Sequence, residues 1–122
     1  MNNLKFALVG LALSSAASMA DECTAPRSMP TLPDGATANM EQMLAGQKAV
    51  KEYQAANSEY RACLDPMLAA AQTAATGDSP SEEAQATLKK LNDDYNASVS
   101  REEELAAKWN SARTKYKELH PG

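Results

Sequence analysis

The stretch Thr76-Gly77-Asp78-Ser79-Pro80-Ser81-Glu82 decides how this chain folds. A helical pattern occupies residues 37–75 before it, and a second occupies residues 80–119 after it. Gly77 supplies a helix stop, Ser79 an N-cap, Pro80 a first helical position and Glu82 the third, so the stretch spells a complete capping box. So short a connection makes the flanking helices antiparallel neighbours. The fold read from it is all-α, an antiparallel hairpin of two long coiled-coil-like helices. Pro66 lacks an N–H and its ring crowds the preceding turn, which predicts a kink near residue 66, with Asp65 available to cap a restarted helix. No strand alternation and no solenoid period appears.

Working outward, each helix carries apolar residues at alternating spacings of three and four. The first seam reads Met43, Gly46, Val50, Tyr53, Asn57, Tyr60, Leu64, Met67, Ala71. The second reads Ala84, Leu88, Leu91, Tyr95, Ser98, Glu102, Leu105, Trp109, Ala112, Tyr116, Leu119. An average period of 3.5 asks for a helical partner along the whole length. Folding about the loop centre sets residue i opposite residue 155 − i. Leu64 then meets Leu91, Tyr60 meets Tyr95, Val50 meets Leu105, and Trp109 falls on Gly46, which predicts a notch for the indole. Asn57 faces Ser98 and Tyr53 faces Glu102, a polar layer that fixes register if its groups satisfy one another. The plainer alternative is that Glu102 reaches out to solvent.

Two helices expose half of each seam, and a thin core of this size needs a staple. Residues 21–36 carry Pro26, Pro30, Pro33 and Gly35, a composition that favours an extended path ending in a turn at Asp34-Gly35. Cys23 and Cys63 are the chain's two cysteines, and a disulfide between them would tie this segment to the first helix. Fifteen extended residues reach roughly 46 Å, and the helix from residue 38 to Cys63 covers roughly 37 Å, so the segment can run back along it. Met29 and Leu32 would then lie on Ala49, Ala56, Cys63 and Ala70. The alternative is a bridge from Cys23 to another chain.

Compartment follows from the N-terminus. Residues 1–20, MNNLKFALVGLALSSAASMA, combine one Lys, a short apolar run and a small-residue site ending at Ala20, the pattern of a cleaved secretory signal peptide. The apolar run is far shorter than the ~20 residues of a spanning helix, so no membrane span is expected after cleavage. Removal leaves 102 of the 122 residues, with 11 basic and 16 acidic side chains. A net charge of about −5 repels phosphate backbones, so nucleic acid is a poor partner. The expected location is the periplasm or outside the cell, where a disulfide persists.

Chemistry is sparse. His120 is the one histidine and sits near the C-terminus, where nothing in the sequence orients its ring for general-base work. Glu102-Glu103-Glu104 point three ways on a helix and cannot converge on one ion. Met40 and Met43 share a helix face that soft copper could use, but ordinary core filling explains them and no third ligand is evident. No cofactor and no metal is expected. Leu68, Val99 and Ala106 flank the seams as a face for self-association or a partner.

The pattern Cys23-x-x-Pro26-x-x-x-Pro30-x-x-Pro33-x-Gly35-Ala36-Thr37, followed by Met40, Val50, Tyr53, Tyr60 and Cys63-Leu64, resembles small exported helical-hairpin proteins of Gram-negative bacteria with a Cys- and Pro-rich N-terminal segment. The likeness covers residues 23–64 and extends loosely over the second helix. It implies an exported hairpin, with no catalytic residue to carry over. The function expected is that of a non-enzymatic structural or interaction protein whose partner is another envelope protein or a second copy. The alternatives are a small periplasmic chaperone or envelope-stress protein, and thirdly a copper binder.

Overall fold

The computed structural model describes residues 23–122, and the expected signal segment 1–20 lies outside them. Two helices make up the described chain, α1 (Met40–Ala75) and α2 (Glu82–Leu119), and they pack on each other as a hairpin. No strand occurs among the described residues. A strap without helix or strand, residues 23–34, precedes a turn at 35–37.

The helix starts differ from the sequence expectation, and capping explains both. α1 begins at residue 40, not 37, because Asp34 first organises a turn: its carbonyl accepts from the N–H groups of Thr37 and Ala38, and its carboxylate from the N–H of Ala36. Asn39 then caps α1 in a reciprocal box. Its side chain accepts from the Gln42 N–H at 2.8 Å, and the Gln42 side chain accepts from the Asn39 N–H at 2.9 Å. α2 is capped by Ser81, not Ser79: its Oγ accepts from the Ala84 N–H at 3.0 Å, and no box forms with Glu82. This start places Glu82 and Glu83 in the first turn, where the helix dipole favours carboxylates. Pro80 falls outside the helix, and the C-cap of α1 is Thr76, with Gly77 at negative φ.

α1 runs through Pro66 as one element, with no restart at Asp65. Ala62, whose carbonyl the missing N–H would have met, is exposed like Pro66 itself, so water can serve that carbonyl.

Every buried residue of α1 (Met43, Gly46, Val50, Tyr53, Asn57, Leu64, Ala71) lies on the seam read from the sequence, as do the buried Leu91, Ser98 and Leu105 of α2. The core divides in two. Near the loop, Leu64, Ala71 and Leu91 form one cluster, with Tyr60, Met67, Leu88 and Tyr95 packed against it. Toward the open end, Val50, Tyr53 and Leu105 form the other, joined by Trp109.

The strap is the third packing element. Cys23 is bonded to Cys63, with Cα atoms 5.6 Å apart, and the Met67 sulfur lies 3.5 Å from the Cys23 sulfur. From there the strap runs antiparallel to α1. Met29 and Leu32 land on the Val50–Tyr53–Leu105 cluster, further into the core than a floor of alanines would have put them. Ala56 and Ala70 stay exposed. Two glycines allow this docking. A Cβ on Gly35 would collide with the Ala112 carbonyl oxygen, so the strap's turn presses on the α2 backbone. A Cβ on Gly46 would lie 2.7 Å from the Pro33 Cδ and 3.0 Å from the Trp109 Cζ3. The notch at Gly46 therefore receives the strap's proline as well as the indole.

Candidate functional site

A polar layer separates the two apolar clusters. Asn57 is 1% exposed and Ser98 0%. The Asn57 amide donates to the Ser98 carbonyl at 2.9 Å, and the Ser98 hydroxyl donates back to the Asn57 Oδ1 at 2.6 Å. Glu102 takes its hydrogen bonds from Asn57 at 3.1 Å and from the Arg61 guanidinium at 2.6 Å, not from Tyr53. Arg61 also donates to the Ser98 hydroxyl at 3.2 Å.

The physical reason for that exchange is the lean of helical side chains toward their own N-terminus. In an antiparallel pair, Glu102 leans away from Tyr53 and Arg61 leans toward Asn57, so both arrive at the Asn57–Ser98 level. Arg61 lies off the seam and was missed in the sequence. Its place four residues after the polar Asn57 is the signal that could have found it. No buried side-chain nitrogen or oxygen among the described residues lacks a partner, so the buried part of the layer is satisfied within the protein. Of the neighbouring glutamates, Glu104 pairs with Lys108 at 2.8 Å and Glu103 stays exposed.

The residues of the expected partner face are all half-buried. Leu68 is half-buried against the loop-side cluster, whereas Val99 and Ala106 line a shallow groove beside Arg61 and Glu102. Among the described residues, the large apolar side chains that stay exposed are Met40 and Leu44, each 57%, and Leu119 at 53%. All three lie toward the open end of the hairpin.

There, α1 and α2 border an open cleft of about 360 Å³, in which Met43, Leu44 and Trp109 supply apolar wall, with Arg113 and Lys117 also lining it. His120 lines it too. Contrary to the sequence expectation, its ring is oriented: Nδ1 lies 3.0 Å from the Tyr116 carbonyl, and the imidazole stacks on the Tyr116 ring with centroids 4.1 Å apart. With Nδ1–H donating to that carbonyl, Nε2 is the ring's remaining acceptor. No family model, curated protein or solved structure matches this chain. Geometry alone carries the functional reading.

A larger depression of about 690 Å³ lies between the strap's turn and α2, bordered by Asn110, Ser111 and Thr114 without a large apolar side chain. Among the described residues, no group of three His, Cys, Asp or Glu could hold a metal ion, and no helix is long and apolar enough to cross a membrane. Met40 and Met43 differ in setting: Met43 is buried and Met40 is exposed. Both border the open-end cleft. The sequence reading missed that cleft because its walls come from the two ends of the hairpin, distant in the chain.

Proposed function

We propose that this chain is an exported, non-enzymatic interaction protein that docks through the open end of its hairpin onto another envelope protein or a second copy of itself. The observation that carries the reading is the gathering of Met40, Leu44 and Leu119 at that end, in a body whose other large apolar side chains are covered at least in part. The Cys23–Cys63 disulfide supports export, because such bonds persist in oxidising compartments. The internally satisfied polar layer supports a structural role for the charged groups at the centre of the molecule.

The test is site-specific photocrosslinking in the envelope of an expressing cell, with the probe at residue 44 or at residue 99. One discrete adduct from residue 44 and none from residue 99 is the expected result, abolished by Leu119→Asp. Adducts of equal yield from both positions would defeat the reading, as would stoichiometric suppression of client aggregation unaffected by Leu44→Asp.

A further inference from the structure

We infer that the open-end cleft is a binding site for one free single-chain aliphatic carboxylate, a fatty acid of medium length. The inference goes beyond the docking reading, which concerns a macromolecular partner and stands or falls separately.

The cleft combines apolar and cationic lining. Met43, Leu44 and Trp109 offer hydrocarbon and an indole face, while Arg113 and Lys117 stand beside them, and no carboxylate is among the lining side chains. Neither cation forms an ion pair within the described residues, a property they share with Arg27, Lys51, Arg101 and Lys115. The charge there also opposes the rest of the chain. Residues 113–118 contain Arg113, Lys115 and Lys117 against Glu118 alone, in a protein with an acidic excess.

An apolar cavity with a few convergent polar groups is the usual form of a small-molecule site, and a guanidinium is suited to a carboxylate. A volume of about 360 Å³ lies at the low end of such sites. That size matches one short hydrocarbon chain with its headgroup at Arg113 and Lys117, and the titration below uses a free single-chain amphiphile for that reason. Met40, Met43 and His120 border the same space, but two adjacent cations oppose capture of a metal cation.

Trp109 is the chain's single tryptophan and lines this cleft, so its emission responds to occupancy there as well as to the packing of the strap at Gly46, and the variants below separate the two. The disulfide-bonded mature protein is titrated with dodecanoate, dodecanol and dodecylammonium below their aggregation concentrations, and separately with silver ion. Dodecanoate is expected to change the emission saturably at one equivalent, with dodecanol binding about tenfold or more weakly through loss of the charged hydrogen bonds. The double variant Arg113→Gln, Lys117→Gln should erase the difference between acid and alcohol, while Leu44→Asp should weaken both. Val99→Asp should change neither. The inference is overturned if acid and ammonium bind alike, if no amphiphile gives a saturable change, if dodecanoate binds equally well to the double variant, or if silver alone occupies the site.

Discussion

The two halves of the hairpin are held by different means. Near the loop, Leu64, Ala71 and Leu91 sit beside a covalent bond from Cys23 to Cys63. Toward the open end, Val50, Tyr53 and Leu105 are closed by Met29, Leu32 and Trp109, which depend on close approach at Gly35 and Gly46. The strap therefore behaves as a lever with one bonded end and one end held by shape. Its bonded end can tolerate imperfect packing, whereas the other end cannot, and the cleft and exposed apolar residues lie at the end without the bond.

The largest way to break this comparison is to reduce the disulfide. Closing the loop from Cys23 to Cys63 contributes up to about 4 kcal/mol in the chain-entropy model. A loss of that size lowers the thermal midpoint of so small a domain by more than about 10 °C. Circular dichroism melts with and without reductant check it, and coincident midpoints would show that the bonded end contributes nothing. Next comes the layer between the halves. Asn57→Leu removes the acceptor of the Ser98 hydroxyl proton and one of the donors to Glu102, and should cost about 1–3 kcal/mol in urea unfolding. A combined Asn57→Leu, Ser98→Ala protein should recover part of this while loosening the register.

Gly35→Ala should cost about 1–3 kcal/mol, the usual range for overpacking, because the colliding atom is backbone and cannot rotate away. Hydrogen exchange should rise at Met29 and Leu32 and stay unchanged around Cys63. In the reduced protein the same substitution should cost little, since the strap is already released, and equal costs in both forms would contradict the lever. Gly46→Ala is a finer probe. Alanine gains about 1 kcal/mol of helix propensity but presses on the Pro33 ring, so the net loss should be about 0–2 kcal/mol.

The smallest effect belongs to the exposed lysines. Hydrogen bonds from Lys89 to Asp93 and from Lys90 to Asp94 raise both lysine pKa values above the ordinary 10.5. A raised folded-state value means their support is complete below pH 10.5 and is lost as pH climbs through the folded value. Both groups are fully solvated, so Lys89→Gln should lower the midpoint only slightly at neutral pH, and that small difference from the parent protein should disappear in strongly alkaline solution, where the parent lysine also loses its charge.

Periodicity made much of this legible. A spacing of three and four marks which residues a helix buries, and the loop centre then sets their partners, as Asn57 with Ser98 shows. Capping was misread because two serines and two glutamates offer overlapping frames, and only the competition between Ser79 and Ser81 for the same helix start resolves them. Glu102 was paired with the wrong residue because a flat register ignores side-chain lean.

The amino-acid order alone determined the hairpin, its register and the Cys23–Cys63 pairing, because helical period, a short breaker and two cysteines are local or countable properties. Tertiary packing decided where Arg61 reaches, which residues a proline ring and an indole share at Gly46, and that a cleft with cationic neighbours forms at the open end. Those features depend on side chains far apart in sequence meeting in three dimensions, and on close approach between backbones.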